Sequence, residues 1–365
     1  MNNLWAFLPM RTSNDLLGDP AALRERMDED GYLYLEQVLD PQRVLRLRRL
    51  ILDELAELGW VQGGPFTMQA ITGIRPLHED QEEFFDGYHA IQRLEEFHSL
   101  AHDPQLLDAM RQIVGDTAFP HPLKIARLGF PAHYEVATPP HQDYPNNQGT
   151  PRLTAAWIPV GDCPRDLGSL AVLRGSNRYG LLQLAVHPAA GNRQAVVPDE
   201  MLRDLRWVTT DFRAGDVLAF TSHTVHAALH NATEFNLRLS VDFRYQCEGE
   251  PLTDLVLQPH FGRISWDEIY AGWQSDRLQY YWRDLDYQVV PFEEFELIGE
   301  PAGTRSWEAS ASTLGEAIVE GVQGGSLEFT PDEWREIMVL ESKREARYQR
   351  HLERLAKLGV DPETS

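Results

Sequence analysis

Residues 118–250 form a series of short β-type runs, each closed by turn residues. Several short strands at this density predict an all-β sandwich or barrel. The runs are LKIARLGF, RLTAAWIPV, SLAVLR, WVTTDF, DVLAFTSHTVHAAL and FNLRLSVDFRYQ. This part of the chain sets the expected fold class, which is mainly β with α additions.

The parts of the chain on either side of these runs have a different character. Pro20 suits the first turn of a helix. Before the β-type runs, we predict that residues 20–60 are helical with a short strand at GYLYLEQ, that residues 61–90 form loops, and that residues 91–115 are helical. After them, residues 250–310 are rich in aromatic side chains, and residues 331–357 are predicted to form a charged helix. We interpret the aromatic cluster at 266–282 mainly as packing. The C-terminal region is also a candidate cap over the site or an oligomer interface.

These patterns predict a single domain made of three regions. The N-terminal helical region covers 1–117, the β core covers 118–250, and the aromatic and helical extension covers 251–365.

Composition narrows the choice of partners. The chain has 365 residues, with 33 basic and 56 acidic side chains and a net charge of −23. Such a balance argues against nucleic acid, whose phosphates need clustered cations, and it would repel anionic membranes. Cys163 and Cys247 are too few for a disulfide framework. With no signal-peptide pattern and no long apolar run, we expect a cytoplasmic monomer or homodimer that acts on a small molecule.

The stretch ATPPHQDYPNN, residues 137–147, contains the first candidate metal ligands. His141 and Asp143 stand two positions apart, so in an extended segment they share a face. Imidazole and carboxylate suit Fe, Mn, Zn or Cu, and two His with one carboxylate is the ligand set of non-haem Fe(II) oxygenases. The His-x-Asp pair alone does not establish a metal site, because a third ligand is required.

The third ligand is sought in GDVLAFTSHTVHAALHN, residues 215–231, which offers His223, His226 and His230. Alternation along a predicted strand puts His223 and His226 on opposite faces. Arg238 and Ser240 follow His226 by 12 and 14 residues and share a face. An Arg fork can hold the far carboxylate of a dicarboxylate co-substrate whose 2-oxo acid end chelates iron, and Ser240 can add a hydrogen bond. This order favours His226.

With these residues in place, the sequence resembles the phytanoyl-CoA dioxygenase family of Fe(II)/2-oxoglutarate oxygenases. The matching parts are HQD at 141–143, LTAAWIPVGDCPRDLGSLAVLRGSNRYG at 153–180 and GDVLAFTSHTVHAALHNATEFNLRLSVDFRYQ at 215–246. The resemblance implies a double-stranded β-helix (jelly-roll) core flanked by helices. It implies that Fe(II), 2-oxoglutarate and O2 take part in the reaction, and that Trp157 lies near the co-substrate.

Four positions depart from the family pattern. Ala227 and Ala228 replace a Gly and a Ser after the distal His, while Arg174 and Asn177 replace a Pro and a His in the Gly-Ser-His-like turn. These departures alter expected co-substrate contacts and leave His141, Asp143 and His226 in place. Further candidate contacts with co-substrate or substrate are Lys124, Arg127, His230 and Arg244.

The expected activity is hydroxylation of a small or medium-sized metabolite, such as a natural-product intermediate, with release of succinate and CO2. Desaturation, epoxidation and ring closure start from the same chemistry and stay open. Halogenation is disfavoured because Asp143 occupies the position that related halogenases leave to chloride. The alternatives from other classes are a non-catalytic metal-binding jelly-roll protein and a zinc hydrolase.

Overall fold

The computed structural model of the chain describes residues 7–131, 138–186 and 193–298. The helices are α1 (Pro20–Asp30), α2 (Pro41–Glu57), α3 (Glu82–Gln92), α4 (Glu95–Leu100), α5 (Pro104–Val114), α6 (Tyr144–Asn147), α7 (Asp199–Asp204) and α8 (Trp266–Tyr270). The strands are β1 (Phe7–Pro9), β2 (Tyr32–Leu35), β3 (Ala118–Pro120), β4 (Ile125–Gly129), β5 (Thr154–Pro159), β6 (Leu170–Leu173), β7 (Leu184–Val186), β8 (Arg193–Ala195), β9 (Trp207–Thr209), β10 (Val217–Thr221), β11 (His226–Ala228), β12 (Arg238–Cys247), β13 (Pro251–Thr253), β14 (Gln288–Val290) and β15 (Leu297–Ile298).

Two sheets form the centre of the fold. The larger has the order β2-β10-β5-β12-β3, with β4 also pairing with β12, and the smaller has the order β1-β9-β6-β11. Their facing side chains share one buried cluster, which includes Trp157 and Leu218 from the larger sheet and Val172 from the smaller. The chain passes repeatedly between the sheets, as in a double-stranded β-helix. The predicted jelly-roll core is therefore confirmed.

Helices cover the outer face of the larger sheet. Leu47 and Ile51 of α2 are buried with Val241 and Phe243 of β12 in one apolar core. Alternation along β12 then turns its intervening residues toward the smaller sheet. Those inward residues are polar, namely Arg238, Ser240, Asp242, Arg244 and Gln246, and almost all of their surface is buried. β12 thus has one apolar and one polar face, and both are buried. Its charged side chains lie between the two sheets, where a functional site is expected.

The N-terminal region contributes strands as well as helices. The predicted strand at GYLYLEQ is β2, which pairs with β10 in the larger sheet. β1 pairs with β9 in the smaller sheet. The loop-like interpretation of 61–90 was wrong in its last part, because α3 begins at Glu82. Phe84, Phe85 and Tyr88 give this helix a buried aromatic face. The helix is only three turns long and follows turns rich in Gly and Pro, so its helical spacing was not recognised in the sequence.

The aromatic residues that follow β13 are packed, as predicted. Trp266 and Tyr270 stack with ring centroids 5.6 Å apart. His98 of α4 contacts both Trp266 and Trp273 edge-on or tilted. This cluster therefore covers the helical layer. The predicted helix at 331–357 lies outside the described residues.

Two further expectations concern cysteines and membranes. Cys163 and Cys247 are both free thiols. Within the described residues, none of the helices has the length and apolar character needed to cross a membrane.

Candidate metal centre

His141, Asp143 and His226 meet beside β11, the edge strand of the smaller sheet. His141 and His226 form an antiparallel bridge, and each backbone N–H donates to the other's carbonyl oxygen at 3.0 Å. The Nε2 atoms of His141 and His226 lie 3.9 and 3.8 Å from Asp143 Oδ1. One potential ligand atom from each residue lies within 4.8 Å of the others, and all three side chains are buried. The sequence-predicted triad is therefore brought together in space.

The second nitrogen of each imidazole is held by a backbone carbonyl. His141 Nδ1 lies 2.8 Å from the carbonyl oxygen of Pro139, and His226 Nδ1 lies 3.0 Å from that of Thr224. A carbonyl only accepts, so Nδ1 carries the proton and Nε2 keeps its lone pair. Metal-binding His residues are oriented in this way by a hydrogen bond from their other nitrogen. Both free lone pairs thus belong to the atoms nearest Asp143.

The protonation states also suit a metal. Burial lowers the pKa of His141 to about 3, with the neighbouring His226 adding to the effect. Burial likewise lowers the pKa of His226. Burial alone would raise the pKa of Asp143, but the guanidinium of Arg244 opposes this most strongly, and the pKa of Asp143 lies below its usual range. Two neutral imidazoles and one carboxylate are the forms that bind a metal ion.

Arg244 is the side chain in direct contact with Asp143. Its Nε and Nη2 atoms lie 3.1 and 3.0 Å from the two carboxylate oxygens, a bidentate pair with both side chains 3% exposed. Asp242 continues the network, lying 3.8 Å from Arg244 Nη1 and 2.8 Å from Arg127 Nε. Fork-to-carboxylate pairs are strong and directional. Arg244 therefore fixes the plane of the Asp143 carboxylate. The alternating polar positions of β12 were the available sequence signal for this contact.

His226 and His223 are separated by a turn and not by strand alternation. β10 ends at Thr221, and β11 begins at His226 in the opposite sheet. The interpretation of one continuous strand through this segment was therefore wrong, because residues 222–225 cross from one sheet to the other. His223 stacks on Tyr144 with ring centroids 4.8 Å apart and is not a member of the triad.

Arg238 lines a cavity of about 70 Å³ between the sheet and α3. Arg127, His230 and Asn231 line the same cavity. Arg238 is 7% exposed, and its Nη1 donates to the carbonyl oxygen of Gly168 at 3.1 Å. No salt bridge to Arg238 occurs within the described part of the chain, so its charge faces the cavity without a carboxylate partner.

Ser240 and Trp157 lie on the same inner surface. Within the described residues, the buried Ser240 Oγ makes no hydrogen bond. Trp157 is 1% exposed and packs edge-on against Phe212 at a centroid distance of 4.8 Å. Within the described residues, Ser240 Oγ thus has no hydrogen-bond partner and lies two residues from Arg238, a guanidinium with no carboxylate partner, and a buried polar group of this kind calls for a ligand or another partner.

Lys124 lies apart from this cavity. Its ammonium group donates to the carbonyl oxygens of His121 and Pro122 at 3.1 and 3.4 Å. Burial lowers the pKa of Lys124 to about 7. The described residues that line the Arg238 cavity do not include it. Of the four further candidates, Arg127 and His230 reach the cavity, Arg244 reaches Asp143, and Lys124 reaches neither.

A jelly-roll core with two His and one carboxylate buried between its sheets defines the class of mononuclear non-haem metal proteins to which the Fe(II) oxygenases belong. The sequence model of phytanoyl-CoA dioxygenase (PhyH) matches residues 27–239. The chain belongs to this family and is an Fe(II)- and 2-oxoglutarate-dependent dioxygenase. Iron and 2-oxoglutarate are its cofactor and co-substrate.

Two curated relatives are 1-deoxypentalenic acid 11-beta-hydroxylases. The protein from Streptomyces arenae is 26% identical over 255 residues, and that from Streptomyces exfoliatus is 27% identical over 246 residues. Each alignment covers 63% of this chain and 82% of the relative.

Solved structures with a related fold come from nogalamycin biosynthesis. The epimerase SnoN in complex with Fe3+, alpha ketoglutarate and nogalamycin RO is 22% identical, with a TM-score of 0.46 over 64% of this chain and 86% of SnoN. The alpha ketoglutarate dependent carbocyclase SnoK is 19% identical, with a TM-score of 0.45 over 67% of this chain and 90% of SnoK.

Proposed function

We propose that the chain hydroxylates a small or medium-sized natural-product intermediate, with Fe(II) held by His141, Asp143 and His226. The observation that carries the proposal is the buried triad, with two Nε2 lone pairs and one ionised carboxylate converging within 4.8 Å. Three protein ligands leave open positions on an iron that prefers six. When bound, iron, 2-oxoglutarate and O2 supply the oxidising chemistry and yield succinate and CO2.

The protein's own residues bind and orient in this proposal. Arg238 binds the far carboxylate of 2-oxoglutarate through its guanidinium, which already faces a cavity. Ser240 donates its free hydroxyl to the same carboxylate. Trp157 forms an apolar wall that excludes water from the co-substrate. Each of these three assignments rests on the burial of the side chain and on its place on the inward face of β12 or β5.

Arg244 supports the metal site through its contact with Asp143. It holds both oxygens of Asp143, which neutralises the charge of the carboxylate and fixes its direction before any metal binds. Pre-oriented ligands cost less conformational entropy on binding. Asp242 lies between Arg244 and Arg127 and forms ion pairs with both, so these charges link the metal site to the Arg238 cavity.

The substrate class is inferred from the relatives. Two of them are hydroxylases of 1-deoxypentalenic acid, and this supports a hydrophobic natural-product intermediate as substrate. The acidic composition disfavours nucleic acid and supports a small molecule as substrate, and we propose that the protein acts in the cytoplasm as a monomer or homodimer.

Turnover of the co-substrate tests the proposal without knowledge of the substrate. Many oxygenases of this class convert 2-oxoglutarate slowly when no substrate is present, so the anaerobically iron-loaded protein is expected to form succinate after O2 is admitted. The measurement is succinate by mass spectrometry, with Zn(II) replacing Fe(II) as the control. Succinate formation no faster with protein than with iron alone, even when terpenoid carboxylic acids are added, would favour a non-catalytic metal protein. Hydrolase activity that persists with Zn(II) would favour the zinc hydrolase.

A further inference from the structure

Residues 291–298, which we call the strap, run back from the C-terminal part of the chain to the segment that holds His141 and Asp143. The family match ends at residue 239, so the strap lies beyond it. The end of the strap, β15, pairs in parallel with β7. The strap is therefore anchored at one end in a small sheet next to the metal site.

Gln148 joins the strap to this segment through both atoms of its side-chain amide. Nε2 donates to the carbonyl oxygen of Glu293 at 2.7 Å, and the backbone N–H of Glu293 donates to Oε1 at 2.8 Å. Gln148 is 4% exposed. The buried amide thus pairs with both the N–H and the C=O of one residue, as a neighbouring strand would, and it fixes the distance between the two segments.

The backbone of Gln148 is strained. Its φ of 52° and ψ of −155° lie in a region that is populated almost only by glycine. Such a conformation is destabilising and persists only where the surroundings impose it. The next residue, Gly149, is packed so tightly that an added Cβ would lie 2.6 Å from the carbonyl oxygen of Pro251. The turn is thus held from two sides by chain that follows β12.

One helical turn separates Gln148 from Asp143. Asp143 is the N-cap residue of α6, and the Asn147 side chain donates to the Asp143 carbonyl oxygen at 2.9 Å. Thr253 donates to the carbonyl oxygen of Asn147 at 2.9 Å. Arg193 donates to Asn146 at 2.9 Å. A helix this short has little stability of its own, so these outside contacts determine where its N-cap lies.

We propose that Gln148 is a positioning residue for the metal centre: by joining the strap to α6 it holds Asp143 where it meets His141 and His226. The inference rests on the proposed role of Asp143 as a metal ligand. The inference gives the strap, which lies outside the family match, a role in the geometry of the metal site. The backbone strain at Gln148 then has a role, since relaxation of this turn would move the N-cap of α6.

The test is Mn(II) affinity, with Mn(II) as an air-stable substitute for Fe(II) measured by EPR titration. Gln148→Gly removes the amide and relieves the backbone, so the unfolding midpoint of the metal-free protein is expected to stay near that of wild type. Mn(II) affinity is expected to fall about 10-fold or more, as for other residues that orient metal ligands. A merely structural role would shift the midpoint and leave the affinity unchanged.

A second variant and a control complete the design. Gln148→Glu keeps the size of the side chain but turns a carboxylate oxygen toward the Glu293 carbonyl, so it is expected to weaken Mn(II) binding as well, and it decides the matter if the Gly variant fails to fold. Gln288→Ala removes an exposed amide from β14, just before the strap, and is expected to bind Mn(II) like wild type. Wild-type affinity in the folded Gln148 variants would overturn the inference. Absence of Mn(II) binding by the wild type would overturn the proposed metal site itself.

Discussion

Asp143→Asn is expected to abolish 2-oxoglutarate turnover while the protein stays folded. The amide keeps the size of the carboxylate and one acceptor for Arg244, but it is uncharged and a poor ligand for a divalent ion. Asn is preferable to Ala here, because Ala would leave the buried Arg244 guanidinium without its main partner. An orphaned buried charge of this kind costs about 3–5 kcal/mol, and lost activity would then be confused with lost fold.

The measurement for this variant is succinate formation per iron, together with the unfolding midpoint. Asp53→Asn makes the same chemical change on the exposed face of α2, where its side chain is 55% exposed, and should behave as wild type. Turnover by Asp143→Asn near the wild-type rate, with its midpoint preserved, would remove Asp143 from the ligand set.

Arg238→Ala is expected to raise the KM for 2-oxoglutarate about 10- to 100-fold. Hydrogen bonding to a charged group contributes about 1.5–3 kcal/mol, and a loss of that total size corresponds to about a 10- to 100-fold change in affinity. Since the far carboxylate is bound equally before and during the reaction, kcat at saturating 2-oxoglutarate should change much less than KM.

The control for Arg238 is Arg49→Ala. It removes one positive charge from the surface of α2, where the Arg49 side chain is 49% exposed. Arg49→Ala and Arg238→Ala therefore change the net charge of the protein by the same amount. Initial rates at varied 2-oxoglutarate concentration decide the outcome. An unchanged KM in Arg238→Ala, with the expected loss instead in Arg127→Ala, would move the carboxylate site to the other guanidinium in the cavity.

Local patterns in the sequence were enough to predict most of the β core. The continuous apolar run in TAAWIP is typical of a strand that is buried on both faces, and the alternation of apolar and polar residues in RLSVDFRYQ separates the two faces of β12. The His-x-Asp pair and the distal His226 could be selected because residue type and order, together with family resemblance, limit which ligands can meet. The structure then brings the three side chains together.

Contacts that depend on distant parts of the chain could not be predicted. Arg244 and Asp143 are 101 positions apart, and Gln148 and Glu293 are 145 apart. Neither pair leaves a local periodicity, since each depends on how two segments are docked. The passage from β10 to β11 was missed for a related reason: a turn at 222–225 that contains no Gly or Pro resembles a continuing strand.

Anaerobic binding of Fe(II) and 2-oxoglutarate, followed by visible absorption, tests the central claim most directly. A 2-oxo acid chelated to ferrous iron gives a weak charge-transfer band that neither component gives alone. We expect the band in wild type and in His223→Ala. His223 precedes His226 by three positions in the sequence and is not a member of the triad. We expect no band in His226→Ala. A band that survives in His226→Ala, or a wild type that retains iron without any band, would contradict the account.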